Sequence, residues 1–168
     1  IHALADEGKH FLVDCGGGNR ILKVLKETKI LLEDVHDIFI THEHADHILG
    51  IVWMVRMICQ NMSQGKYEGE AVIYGHDEAI ALVKDMAEKL LQEKQTKFIG
   101  DRLHLIPVAD GETKEILGKQ VTFFDIHSTK ARQFGFCMDL GNGEKLTCCG
   151  DEPCSDLCRS YALDSTWL

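Results

Sequence analysis

A mixed α/β fold, with layered sheets carrying helices on their outer faces, is the fold class this sequence predicts. Three observations predict it. Apolar runs of strand length alternate three times with helix-period segments and then give way to a meander of short strands. Glycine and Asx turns punctuate the points where one run hands over to the next. The chain has 168 residues, 45% hydrophobic and 27% charged, which is the size and make-up of one soluble globular domain and excludes a disordered segment.

Residues 10–15 (His-Phe-Leu-Val-Asp-Cys) are a short apolar run that stops at Gly16-Gly17-Gly18, which predicts a buried strand and a tight turn. A helix over 19–27 follows, with Ile21, Leu22, Val24 and Leu25 on its buried side. The glycine triplet matches neither G-x-G-x-x-G nor the lysine-bearing P-loop, so a plain strand-to-helix turn is preferred to a phosphate cradle. Residues 37–41 read as the end of a second buried strand. Residues 48–58 are apolar on nearly every side and read as a covered helix. A polar, glycine-bearing loop over 61–70 leads to a strand over 71–74 and, past Gly75-His76-Asp77, to an amphipathic helix over 78–94. His76 is either a substrate-side group or a solvated loop histidine. Short strands are then expected over 103–107, 121–126, 134–140 and 145–149, with Asn142-Gly143 a strong hairpin signal between the last two. A final helix is expected to begin near Pro153, and the chain reaches Leu168 on an apolar approach.

The densest chemistry lies in Thr41-His42-Glu43-His44-Ala45-Asp46-His47, between a strand and a helix. If strand geometry continues briefly, His42 and His44 face one side. Asp46 and His47 then open the helix, where the dipole favours a carboxylate. Four donors would converge on a site for one or two metal ions, and imidazole with carboxylate suits zinc, iron or manganese. The alternative is a polar turn of exposed or locally bonded histidines, which the density of the run argues against. Asp14, at a strand end, is a candidate partner for a metal-bound imidazole. His127 and Asp151 follow two later strands and would add a further imidazole and a carboxylate able to bridge.

A net charge of −9 gives no general attraction to nucleic acid, although a local positive patch remains compatible with it. No apolar run reaches membrane-spanning length and the first residues lack a signal-peptide pattern, so a cytoplasmic location is expected. The seven cysteines point to reduced thiols rather than a disulfide framework. Cys148, Cys149, Cys154 and Cys158 lack the paired spacings of a zinc ribbon, and a packing role is preferred for Cys154 and Cys158.

With His42, His44, Asp46, His47, His127 and Asp151 in this order, and with Phe11-Leu12-Val13-Asp14-Cys15-Gly16 before them, the chain resembles the metallo-β-lactamase superfamily of metal-dependent hydrolases. His127-Ser128-Thr129 followed by Phe134-Gly135-Phe136 is most similar to the ribonuclease Z-like branch. The resemblance implies an αβ/βα sandwich of two mixed β-sheets flanked by helices. It also implies two divalent metal ions, zinc before manganese or iron. His42, His44 and His127 would hold one ion, Asp46 and His47 the other, and Asp151 would bridge. Relatives carry an earlier strand and a further C-terminal histidine. Residues 1–168 are therefore expected to be a single hydrolase domain lacking its first strand and C-terminal segment.

The activity so implied is a phosphodiesterase or ribonuclease Z-like RNA endonuclease that uses a metal-bridging hydroxide, with Asp46 as the catalytic carboxylate. RNA as substrate is not supported by the net charge. A small-molecule hydrolase of lactones, sulfate esters or cyclic phosphodiesters is therefore the main rival. A diiron redox protein and a non-catalytic metal-binding scaffold are the others. No membrane partner is expected, and a homodimer is an admissible assembly.

Overall fold

The computed structural model describes residues 2–152 and 155–168. Their contacts cluster into two compact units, Ile1–Pro107 and Val108–Leu168.

The first unit is built on a five-stranded sheet of order β1-β2-β3-β4-β5. Its strands are β1 (His2–Asp6), β2 (Lys9–Val13), β3 (Val35–Phe39), β4 (Ala71–Gly75) and β5 (Leu103–Pro107). β1 pairs antiparallel with β2, and the remaining pairs are parallel. Parallel strands are covered on both faces, which is why Phe11-Leu12-Val13 and Ile38-Phe39-Ile40 are continuous apolar runs. All six of these side chains are buried. The helices are α1 (Arg20–Glu27), α2 (Ala45–Ile48), α3 (Ile51–Ser63) and α4 (Asp77–Leu90). Ile21 and Leu25 of α1, Met54, Val55 and Ile58 of α3, and Ile80, Val83 and Ala87 of α4 pack with Leu12, Ile38 and Ile73 in one core. Among the described residues no helix is long and apolar enough to cross a membrane.

Three boundaries differ from the sequence reading. The helix expected over 48–58 is two helices broken at Leu49-Gly50, because the Gly50 amide leaves the helical ladder to donate to the Gly16 carbonyl at 2.7 Å. α3 then runs on to Ser63, and Tyr67 in the following loop is buried with its hydroxyl donating to the Val35 carbonyl. α4 stops at Leu90 rather than 94. Leu91 is extended, and the Gln95 side chain accepts from the Gln92 amide at 3.0 Å, which starts a separate 3₁₀ turn, Glu93–Gln95.

The second unit is an antiparallel meander of β6 (Thr113–Ile116), β7 (Lys119–Asp125), β8 (Phe134–Gly141) and β9 (Glu144–Cys148). Asn142 and Gly143 both sit at positive φ, as the expected two-residue hairpin requires. β6 was not anticipated; it is a four-residue edge strand joined to β7 through Leu117-Gly118. Phe123, Phe124, Phe134 and Phe136 are all buried. A short helix, α5 (Arg159–Ala162), follows. Cys158 is fully buried with Phe124 and Ile126, which supports a packing role for it. The expected helix start at Pro153, and Cys154, lie outside the described residues. Burial pushes the thiols of Cys15 and Cys59 up, consistent with protonated core cysteines.

β3 carries one costly charge. Burial holds the Asp37 carboxyl above its usual range, and the Tyr74 hydroxyl at 3.3 Å with the charges of His36 and Lys9 offsets this in part. The folded chain therefore binds this proton more tightly than the unfolded chain does. The stability it contributes is present at acid pH and is lost as pH rises from about 3.9 through the raised folded value. Asp37→Asn keeps the acceptor for Tyr74 and is expected to raise Tm at pH 7 with no gain below about pH 3.9. An unchanged or lower Tm at pH 7 would mean that Asp37 is not desolvated.

Candidate metal centre

The carboxyl ends of β2, β3 and β4 lie along one edge of the parallel sheet, the edge at which such sheets place their functional groups. Asp14 follows β2, His42 and His44 follow β3, and His76 follows β4. Asp14 has φ 57, a left-handed conformation that aspartate tolerates better than most side chains. It turns the chain out of the sheet, and its carboxylate comes to lie beneath the histidine-rich turn.

That carboxylate is nearly buried, at 6% exposure, and accepts from three donors. The Thr41 amide donates to Oδ1 at 2.9 Å, the Thr41 hydroxyl to Oδ2 at 2.9 Å, and His47 Nδ1 lies 2.8 Å from Oδ2. Thr41 Oγ1 also lies 2.9 Å from His42 Nδ1. Its single proton goes to Asp14, so it can only accept from the ring, and His42 carries its proton on Nδ1. His47 likewise donates from Nδ1. One carboxylate thus sets the tautomer of two imidazoles, His47 directly and His42 through Thr41, and leaves Nε2 of each as the lone-pair nitrogen.

The three rings converge. His42 and His44 are edge to face at 4.5 Å between centroids, and His42 and His47 are 4.1 Å apart. His42 Nε2 and His44 Nδ1 are separated by 2.9 Å. Two imidazole nitrogens on one tetrahedral zinc lie about 3.3 Å apart, so this pair is close to ligand spacing. His42 is fully buried, whereas the Asp46 side chain is 80% exposed with Oδ2 3.7 Å from His47 Nε2. The donor set fits a divalent ion: lone-pair nitrogens held in fixed tautomers, with a carboxylate at the open side.

The expectation that His42 and His44 face one side holds, although residues 42–44 have no regular strand structure and His44 is the extended cap of α2. Asp14, expected as a partner for a metal-bound imidazole, lies against a ring of the turn, that of His47. Thr41 was missed: its place beside the first histidine is visible in the sequence, but its relay depends on two contacts made only in the fold. The reading of His76 as a solvated histidine is corrected, since this side chain is fully buried at the start of α4.

In the second unit, β7 and β9 flank β8 and run in the same direction, so the segments bearing His127 and Asp151 leave the sheet at one edge. His127, at φ 57, donates its amide to Asp125 Oδ1 at 2.7 Å, and its side chain is about half exposed. Ser128 donates to Glu152 Oε1 at 3.1 Å, tying the two segments together. Asp151 is exposed.

Beside the histidine turn of the first unit, a cavity of about 620 Å³ is lined by Gly17, Leu49, Val52, Trp53, Arg56 and Leu90, among others. The Arg56 guanidinium lies over the Trp53 ring at 5.4 Å. Gly17 also borders Asp46: a Cβ there would lie 3.6 Å from the Asp46 Cα.

The chain is similar to known proteins in sequence and in fold. A family profile described as Anti-Pycsar protein Apyc1 matches residues 2–161. Ribonuclease Z of Borreliella burgdorferi is 29% identical over 117 residues, covering 55% of this chain and 34% of that protein. The chain thus spans about a third of the length of this curated relative. Among solved structures, the metallo-β-lactamase fold protein YhfI from Bacillus subtilis superposes with a TM-score of 0.69 at 21% identity, covering 92% of this chain and 56% of YhfI. The short form of human tRNase Z gives the same TM-score at 20% identity, covering 97% of this chain and 67% of its own. At such identities the structural likeness shows the fold alone.

Proposed function

This chain belongs to the Anti-Pycsar protein Apyc1 family and has the metallo-β-lactamase fold, and from that membership and the centre in its first unit we propose that it is a metal-dependent phosphodiesterase acting on a small phosphodiester. The observation that carries the reading is the Asp14 hub, which holds His42 and His47 in the metal-binding tautomer beside His44. The proposal assigns ligand roles to His42, His44, Asp46 and His47 in the first unit, and to His127 and Asp151 in the second. The ions are two, with zinc preferred.

Divalent ions, when bound, acidify a coordinated water and stabilise charge on phosphoryl oxygens. The remaining work falls to side chains. Asp46 orients the attacking water and accepts its proton at a carboxylate oxygen, and its exposure beside His47 supports that role. Asp14 and Thr41 keep the imidazoles from turning. Two observations favour a small ester over a structured RNA. The net charge is −9, and the cavity volume is that of a small-ligand pocket with an aromatic face and one cation.

The test is hydrolysis by the metal-loaded chain of an aryl phosphodiester, of cyclic mononucleotides and of precursor tRNA, side by side. Turnover of the small phosphodiesters is expected, with loss on chelation and a fall in kcat of about 10²–10⁴-fold in Asp46→Ala. Cleavage of precursor tRNA alone would replace the small-substrate reading with the endonuclease. Metal binding without turnover of any substrate would replace it with the scaffold. Iron with redox activity, detected by metal analysis and absorption spectroscopy, would replace it with the diiron protein.

A further inference from the structure

β3 lies between β2 and β4, and past its end the Ile40 amide donates to the Tyr74 carbonyl at 2.9 Å. Residues 41–44, which follow, are outside the strand. On the β2 side the turn is tied by Thr41 to Asp14. On the β4 side stands His76, the first residue past the strand, fully buried and with Nε2 3.5 Å from Glu43 Oε2. Glu43 is the residue between the two imidazoles His42 and His44.

Glu43, His76 and Glu78 together place ligand-type atoms within 4.8 Å of one another, a composition that could hold a cation of its own. The start of α4 argues against that. His76 Nδ1 accepts the Ala79 amide at 3.4 Å, so the neutral ring carries its proton on Nε2. The atom facing Glu43 is therefore an N–H donor and not a lone pair.

We infer that Glu43 and His76 form a positioning pair that fixes the separation and orientation of His42 and His44, and so sets the affinity of the centre for its metal. The inference rests on the metal-centre reading above. With the pair intact, the turn is anchored on both flanks before metal arrives. Without it, those residues must be ordered as metal binds, and binding weakens.

The test is titration of the metal-stripped full chain with Co(II), followed by its visible absorption, with thermal melting of the metal-free protein alongside. Glu43→Ala removes the acceptor, whereas Glu43→Gln keeps an oxygen for the His76 N–H. His76→Asn preserves a side chain able to cap α4 but cannot span to Glu43. Glu43→Ala and His76→Asn are each expected to weaken Co(II) binding about tenfold or more and to shift its absorption bands. Glu43→Gln should stay near wild type, the double variant should be no weaker than either single one, and the melts establish that each metal-free variant is folded at the temperature of the titration. Additive losses, unchanged affinity in both single variants, or a Glu43→Gln as weak as Glu43→Ala would overturn the pairing. Loss of one bound ion in Glu43→Ala, with unchanged affinity for the rest, would instead make the cluster a cation site. Wild-type protein that binds no Co(II) would overturn the metal-centre reading and this inference with it, whereas wild-type binding indifferent to the variants would overturn this inference alone.

Discussion

Asp14→Asn is expected to lower metal affinity by about 10- to 100-fold, the range for loss of an orienting partner behind a metal-binding histidine. The substitution preserves volume, and asparagine tolerates the positive φ at this position. It changes the chemistry of the hub alone. A carboxylate that accepts from the Thr41 amide, the Thr41 hydroxyl and His47 Nδ1 becomes an amide with one accepting oxygen and a donor. At least one of the three donors must then face an NH₂ group. If the His47 side is lost, its ring is free to carry the proton on Nε2. The Thr41 side is the less exposed to loss, because its hydroxyl reaches both carboxylate oxygens, 3.1 Å from Oδ1 and 2.9 Å from Oδ2, and keeps an acceptor whichever one becomes the NH₂ group. The backbone amide of Thr41 cannot give up its proton whereas the His47 ring can shift its own, so the NH₂ is expected to face His47, and that takes a lone pair from the centre. Because these groups are buried, a donor left unmatched also costs about 1–3 kcal/mol of stability. Chelator competition for the bound metal and a melt of the metal-free protein read the two effects separately. Wild-type affinity in Asp14→Asn would sink the tautomer argument, whatever happens to Tm.

The parts of this molecule that were legible in advance are those whose cause is local. β2, β3 and β4 are continuous apolar runs because both faces of a parallel sheet are covered, and the histidine turn stands out because six consecutive residues hold five imidazole and carboxylate groups. Asp14 could be picked out because a carboxylate at a strand end has few other uses. Hairpins show where local cues stop. Asn142-Gly143, Glu7-Gly8 and Leu117-Gly118 all put both central residues at positive φ. Only the first pair announces that conformation, since asparagine favours it while glutamate and leucine do not. β1 and β6, which enter the sheets through the other two turns, went unread. The same limit explains the break between α2 and α3 and the burial of His76. Each follows from a contact with a different strand end, and nothing in the neighbouring residues encodes it.

Gly50→Ala is the substitution expected to do most damage to the first unit. Gly50 has ordinary helical dihedrals, so its conformation does not require glycine. Its surroundings do. A Cβ built there would lie 1.9 Å from the Cys15 carbonyl oxygen and 2.7 Å from the carbonyl carbon, both of them backbone atoms that cannot swing aside. They are also pinned from both directions. The Cys15 amide donates to the His47 carbonyl at 2.9 Å, and the Gly50 amide donates to the Gly16 carbonyl at 2.7 Å. Relieving the clash means pulling the α2–α3 junction away from the end of β2, which breaks those bonds and moves His47 off Asp14. Overpacking a core with flexible side chains costs about 1–3 kcal/mol, and a rigid backbone clash should exceed that range. Against a typical total of about 5–15 kcal/mol, the expected result is a chain that is largely unfolded, or folded with its metal affinity lost. Gly17→Ala is the control on the same turn, since its Cβ would make only an ordinary contact at 3.6 Å and should leave Tm nearly unchanged. Thermal melts of the two variants with and without metal decide the matter. If Gly50→Ala melts like wild type and still binds metal, the close approach of α3 to β2 is not what holds His47 in place.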